Sequence, residues 1–441
     1  MNIEGIKKAP IDKWVLEPVK SFINKSSTSG IILFSSAFIA IIITNSPWAA
    51  AFHHFWELEL SVGFNGAAIT KSLHHWINDG LMAVFFFVVG LELKREIIAG
   101  ELNEPKKAIL PIAGAVGGML FPAIIYFLFN RNGDTIHGWG IPMATDIAFA
   151  LGVLYLLGDK VPISLKIFLT ALAIADDLGA VLVIALFYTS EIHFSGLLTA
   201  GIFLFVLVIS NLLGIRNTVY YALIGIGGVW LFFLMSGVHA TIAAVLAAFT
   251  IPASVKISEE AYISKLESLT EDFKQCDPND KPTVTNDQLH ILEEIRDLSK
   301  NALTPLQRLE HGMHPLVAFV IMPIFALSNA GVEISGDILN QVTSPVTVGI
   351  FFGLLVGKFV GVTGIAALMI KMKWASLPEG MNYRHLIGAG LLAAIGFTMS
   401  LFVAGLAFDN ELYMVEARLG ILAASLTASI SGYFVIRSAA R

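Results

Sequence analysis

Charge is scarce in this chain of 441 residues: only 14% are Asp, Glu, Lys or Arg, where a soluble domain carries about 25%. So little charge cannot clothe the surface of a water-soluble fold, which excludes the several soluble domains that the length would suggest. Cysteine is nearly absent. The single Cys276 excludes a disulfide framework and an intrachain cysteine metal cluster. No basic tract stands out and the formal net charge is −6, so nucleic acid is not an expected partner. The compositions of collagen and of disordered chains are missing too. What is abundant is hydrophobicity, at 56% of residues. A helical membrane span uses about 20 apolar residues, so twelve would take roughly 240, a little over half the chain.

Apolar stretches recur at about 29–47, 76–93, 108–130, 138–158, 163–188, 195–213, 218–235, 239–252, 315–331, 345–370, 384–408 and 416–437. They divide the chain into a cytoplasmic N-terminus (1–28), spans one to eight with a β-hairpin near 56–70 (29–252), a charged cytoplasmic helical insertion (253–304), and spans nine to twelve (305–441). Alternate joints hold 24 Lys and Arg on one side and three on the other, and Lys358 lies inside a span. The cytoplasmic side keeps the excess of basic residues. Twelve spans with both termini cytoplasmic are therefore expected. Ala49-Ala50-Ala51 follows the first stretch, but that stretch and the polar segment before it are both too long for a cleaved signal peptide.

Residues 253–304 differ in kind, with 17 of 52 charged. Leu266, Leu269 and Phe273, then Leu289, Leu292, Ile295 and Leu298, fall at helical spacing around the turn signal Asp277-Pro278-Asn279-Asp280. The pattern predicts a helical hairpin, either a regulatory or partner-binding element or a solvated insertion packed on itself. Between spans one and two, Leu58, Leu60, Val62 and Phe64 alternate with Glu57, Glu59, Ser61 and Gly63 and run into Asn65-Gly66. That is a β-hairpin signal. A lone two-stranded hairpin is marginal in water. It is expected to pair with its own protein or with the same hairpin of a second subunit.

A charge well inside the membrane is expensive and points to function by default. Span four carries Asp146, span five Asp176-Asp177, and span ten Lys358; span two has Asp79 near its outer end and Glu92 near its inner end. One Lys–Asp pair would serve packing alone, but it leaves two acids without a cationic partner. Burial disfavours the charged form of a carboxylate, and a nearby lysine favours it. Such a cluster holds protons, or, once deprotonated, a small hard cation, but not both readily. Competition of protons and cation for the same carboxylates, with alternating access, is antiport. Two protons given up for one monovalent cation would move net charge. Asp176 and Asp177 point about 100° apart on a helix, so one can face the cation and the other Lys358.

The surroundings suit a moving site. Ala171, Ala175 and Gly179 make a small-residue face on span five. Pro142 and Thr145 precede Asp146 in span four, and Gly388, Gly390 and Gly396-Phe397-Thr398 weaken span eleven. Paired interruptions in two halves are a pointer to a transporter site.

These residues resemble the NhaA family of bacterial sodium/proton antiporters. The resemblance rests on Ala144 to Gly152, Ala171 to Ala180, Asn78 to Phe86, Leu91 to Glu96, Glu310 to Pro315, Ser328 to Val332 and Gly396 to Ser400. It covers about 20–437 outside the insertion. It implies an all-α polytopic membrane protein of twelve transmembrane helices, with helices four and eleven discontinuous and crossing. The inverted repeat of spans three to five and ten to twelve is a known feature of this family. The implied activity is electrogenic exchange of cytoplasmic Na+ or Li+ for external H+ at a bacterial inner membrane, with pH regulation, no cofactor, and a homodimer through the Asn65-Gly66 hairpin. By position, Asp177 is implied as the principal Na+ ligand and proton carrier, with Asp176 beside it. Asp146 and Thr145 are placed at the helix crossing with Lys358. Glu92, Arg95, Glu96, Glu310, His311 and His314 match the family's pH-linked cytoplasmic funnel, His239 a pH-linked outer position, and Asp79 an entry or supporting position. Two departures stand out: the insertion lands just before Glu310, and Phe359 follows Lys358 where the family pattern has proline.

Two other classes use the same residues. A proton-coupled symporter or channel needs the buried acids but also polar groups for an organic substrate, and the spans offer few. A membrane-embedded enzyme would need the aspartates to converge as a dyad, whereas neighbours on a helix diverge. His-Glu-x-x-His is absent.

Overall fold

The computed structural model describes residues 26–64, 67–131, 133–189, 192–276, 283–334 and 338–439. Asn65-Gly66, the turn at Asp277 to Asp280 and the N-terminal lysines lie outside them. The protein is mostly helical, and each apolar stretch forms a helix. In chain order these are α1 (Ser26–Thr44), α2 (Ala49–Glu57), α3 (Met82–Ala99), α4 (Pro105–Phe129), a 3-10 helix (Asp134–Met143) that leads into α5 (Ile147–Tyr155), and α6 (Ile163–Phe187). They continue with α7 (Phe194–Leu212), α8 (Thr218–Ser236) and α9 (Ala240–Thr250). After α10 (Glu259–Gln275) and α11 (Asn286–Ala302) come α12 (Pro305–Asn329), the short α13 (Ile338–Val342), α14 (Pro345–Lys371), α15 (Tyr383–Ala393), α16 (Phe397–Ala407) and α17 (Glu411–Ala439).

Among the described residues nine helical segments are long and apolar enough to cross a membrane, taking Asp134–Tyr155 and Tyr383–Ala407 as one each. Three apolar stretches fall short of that measure, each for a visible reason. α1 turns by 116° into α2. α3 carries Glu92, Lys94, Arg95 and Glu96 in its second half. α9 has only 11 residues.

α12 starts ten residues before its apolar stretch. Its first turns are amphipathic, opened by Pro305 and a capping box between Thr304 and Gln307. Among the described residues four π-turns interrupt the helices, at Trp76–Leu81, Gly225–Trp230, Val317–Ile321 and Gly353–Lys358. Such bulges recur at functional sites. The last one ends on Lys358, so the helix is irregular there although Phe359, not proline, follows it.

α4 and α14 cross at backbone contact. A Cβ on Gly117 would fall on the Gly361 carbonyl, and one on Gly361 would fall on that of Gly117. One turn away a Cβ on Gly357 would come within 2.8 Å of the Pro122 backbone. Small residues permit this approach, and it seats Lys358 beside Gly118. On its other side α4 meets α6, where Gly114 faces Leu172 and Gly179 faces the Met119 sulfur.

The hairpin pairs β1 (Glu59–Phe64) with β2 (Ala67–Ser72) antiparallel, with Leu60 opposite Lys71 and Val62 opposite Ile69. Trp76 ties it down by donating to the Leu60 carbonyl at 2.9 Å. Leu60 and Val62 stay about half exposed, at 47% and 54%. The insertion forms two helices packed on each other. Leu269 and Leu298 are buried, Tyr262 meets Ser299 at 3.3 Å, and Lys265 faces Glu294 at 3.8 Å. Leu289 and Leu292 remain open to solvent.

Candidate functional site

The chain breaks twice in the middle of the bundle, between Met143 and Ile147 and between Ala393 and Phe397. The two breaks are bonded to each other. The Asp146 N–H donates to the Ile395 carbonyl at 2.7 Å, and the Thr145 hydroxyl donates to the Ala393 carbonyl at 2.9 Å. The Asp146 carboxylate caps both inner helix ends. Oδ1 accepts from the Phe149 N–H at 2.9 Å, and Oδ2 from the Thr398 N–H at 3.1 Å and from the Thr398 hydroxyl. A negative charge at two helix N-termini is favourable. In α15, Gly388 and Gly390 are packing positions against Ile436 and Thr363; the break itself lies after them.

Lys358 reaches the same point from α14. Its ammonium donates to the Met143 carbonyl, the last of the 3-10 helix, and to Asp176 Oδ2 at 2.7 Å. Lysine and aspartate are both fully buried. Of the two adjacent aspartates, Asp176 is the one that pairs. Its Oδ1 and both oxygens of Asp177 are buried without a hydrogen-bond partner. The charged groups within electrostatic reach of Asp177 are Asp176, Lys358, Glu92 and Asp146. A fully buried carboxylate with no donor is an uncompensated acceptor, open to a proton or a small cation.

A cavity of about 530 Å³ leads toward this point. Its far end touches Asp146, Ile174 and Met399, and its mouth carries Glu92, Arg95, Glu310, His311 and His314. Arg95 bridges two acids there, Glu310 through Nε at 2.9 Å and Glu96 through Nη2 at 2.9 Å. Six residues distant in sequence are thus gathered on one face. Asp79 and His239 lie elsewhere: Asp79 is on the first π-turn, where its carbonyl accepts from Trp230, and the His239 Nε2–H donates to the Tyr188 carbonyl at 2.6 Å.

Sequence reasoning missed three kinds of contributor. Thr398 is a double donor to Asp146; its motif was visible, its partner 252 positions away was not. Tyr126, Tyr188 and Ser400 hold the 3-10 helix through its carbonyls. No local pattern marks such contacts. The Met143 carbonyl is backbone, with no sequence signature.

The sequence profile of the Na+/H+ antiporter 1 family matches residues 20–436. The Na(+)/H(+) antiporter NhaA of Oleidesulfovibrio alaskensis is 47% identical over 437 residues, covering 99% of this chain and 97% of the relative. That of Acidithiobacillus ferrooxidans is 47% identical over 421 residues, with 95% and 96% covered. That of Wolinella succinogenes is 47% identical over 417 residues, with 94% and 92% covered.

Proposed function

This chain belongs to the Na+/H+ antiporter 1 family, and from that premise we propose that it exchanges cytoplasmic Na+ or Li+ for external H+ by alternating access. The observation that carries the reading is Asp177, whose two carboxylate oxygens are buried with no partner beside the Lys358–Asp176 ion pair. Deprotonated, Asp177 offers oxygen ligands to a small hard cation. Protonated, it is neutral and releases it. Asp176 supplies the second exchangeable proton or holds Lys358, and entry of one monovalent cation against two protons makes the cycle electrogenic. Asp146 and Thr145 keep the crossing assembled while its two sides alternate in access.

The proposed architecture is twelve spans with an inverted repeat of spans three to five and ten to twelve, in a bacterial inner membrane with both termini cytoplasmic. Residues 1–28 and the insertion 253–304 lie on the cytoplasmic face. The cavity mouth of Glu92, Arg95, Glu310, His311 and His314, with Glu96 tied to Arg95 behind it, is then the cytoplasmic funnel and the seat of pH regulation. His239 and Asp79 act from the outer side. The half-exposed apolar residues of β1 favour a homodimer through the hairpin. No cofactor or nucleic acid has a part in the cycle.

Everted vesicles carrying an imposed proton gradient test the reading. Addition of Na+ or Li+ is expected to dissipate the gradient within pH 6 to 9. Failure at every pH in that range refutes antiport.

A further inference from the structure

The 3-10 helix Asp134–Met143 is held from outside itself. Four of its carbonyls accept from side chains on three other helices and on the residue that ends a fourth. Thr135 accepts from Tyr126 of α4 at 2.6 Å, His137 from Tyr188 beyond the end of α6 at 2.7 Å, Ile141 from Ser400 of α16 at 2.8 Å, and Met143 from Lys358 of α14. A 3-10 helix has poorer internal hydrogen-bond geometry than an α-helix, so these rungs fix its position. Tyr126, Ser400 and Lys358 are fully buried. Tyr188 is only half-buried, and its bond to His137 is the most exposed of the four, the one for which water competes best.

Tyr188 also does more than donate. Its hydroxyl accepts from the Gly140 N–H at 3.1 Å, and so spans one turn of the 3-10 helix as donor and acceptor together. Its ring stacks on Trp139, with centroids 6.5 Å apart and planes 29° apart. Gly140 leaves room for it: a Cβ there would lie 2.5 Å from the hydroxyl oxygen. The Tyr188 carbonyl accepts from His239 of the α8–α9 joint, so the residue is fixed at both ends.

We infer that Tyr188 is the releasable latch of the extracytoplasmic side, a positioning residue whose hydroxyl keeps the outer half of span four closed over the ion site. When the hydroxyl is hydrated, the 3-10 helix loses both of its bonds to Tyr188, at His137 and Gly140, and solvent reaches toward Met143 and Lys358 from outside. This rests on the antiport reading and on its orientation in the membrane.

The test uses the full chain with Cys276→Ser and Ile141→Cys, a position fully buried here, labelled from the external face by a membrane-impermeant thiol reagent. Tyr188→Phe keeps the ring stack and removes the bridge; labelling is expected to accelerate at least about fivefold. Should that variant not fold, Gly140→Ala displaces the hydroxyl while keeping the tyrosine, and the same acceleration is expected. A rate within twofold of the parent overturns the latch. Na+-driven dissipation of a proton gradient is measured alongside in the protein without any substitution. Exchange by that protein with no change in labelling between the cysteine parent and its variants refutes the latch alone, and absence of exchange by the unsubstituted protein refutes antiport.

Discussion

Asp176 and Asp177 are adjacent, equally buried and chemically identical, yet the same substitution should do opposite things to them. Asn replaces Asp with almost no change in shape. At Asp176 it removes the acid that faces Lys358 at 2.7 Å. At an effective dielectric constant near 20, opposite charges at that distance attract by roughly 6 kcal/mol. Removing one partner of a buried pair costs about 3–5 kcal/mol, because the other charge is stranded. At Asp177 no donor is lost, since neither oxygen has one, and a repulsive neighbour of Asp176 disappears. The change expected there is within about 1 kcal/mol of the parent, as for substitutions that touch none of the severe mechanisms. Thermal unfolding of the purified protein, followed by the fluorescence of its seven tryptophans, separates the two. At about 2 °C per kcal/mol for a large chain, Asp176→Asn should melt roughly 6–10 °C lower and Asp177→Asn within roughly 2 °C. Asp177→Asn should nevertheless abolish Na+-driven dissipation of a proton gradient. Equal melting temperatures for the two variants would refute the pairing, and normal turnover of Asp177→Asn would refute the site.

Gly361→Val places a branched side chain on the Gly117 carbonyl, where overpacking costs about 1–3 kcal/mol or more; yield and melting temperature should both fall, while Gly364→Val, with open space around its Cβ, should be neutral. His74 bonds Asn329 at 3.1 Å, beside Asn78, His75 and Arg418, and burial, then the Arg418 guanidinium, hold its pKa below the usual 6.5. The unfolded chain therefore takes up the proton first, and the stability from this contact is complete above about pH 6.5 and drains as pH falls below it. Melting temperatures of His74→Gln between pH 7 and 5 should fall less than those of the parent, and parallel curves would disprove the assignment. Arg95→Met leaves the buried Glu310 and Glu96 carboxylates without their cation, so stability should fall by about 1–3 kcal/mol while the pH profile of exchange shifts; an unmoved profile would remove Arg95 from regulation. Deletion of 257–300 should leave exchange intact and at most move its pH profile, and loss of folding would make the insertion structural.

Much of the architecture is legible in the sequence because membrane spans are written in composition. The helix at each apolar stretch, the β1–β2 pairing around Asn-Gly, and the interruptions beside Asp146 and before Phe397 all follow from local signals. The start of α12 was not legible, because its first ten residues are amphipathic and fall outside an apolar window. Nor were the four π-turns, since one extra residue in a helix that is apolar all round leaves no trace in the periodicity. The site divides in the same way. Charged residues in an apolar run announce themselves. That Lys358 takes Asp176 and leaves Asp177 bare depends on the rotation of α6 against α14, which no spacing encodes. The contacts of Thr398 and Tyr188 are to backbone or to partners brought close only by the fold.

The crossing of Gly117 and Gly361 has a mechanical consequence. Where helices meet through side chains, rotamers give and the pair can slide. Here two main chains abut with nothing between them to yield. α4 and α14 must travel as one girder, and the lysine mounted on that girder has its height set by the backbone of its neighbour. The separation of Gly118 and Lys358 is thereby set by main chain rather than by rotamers.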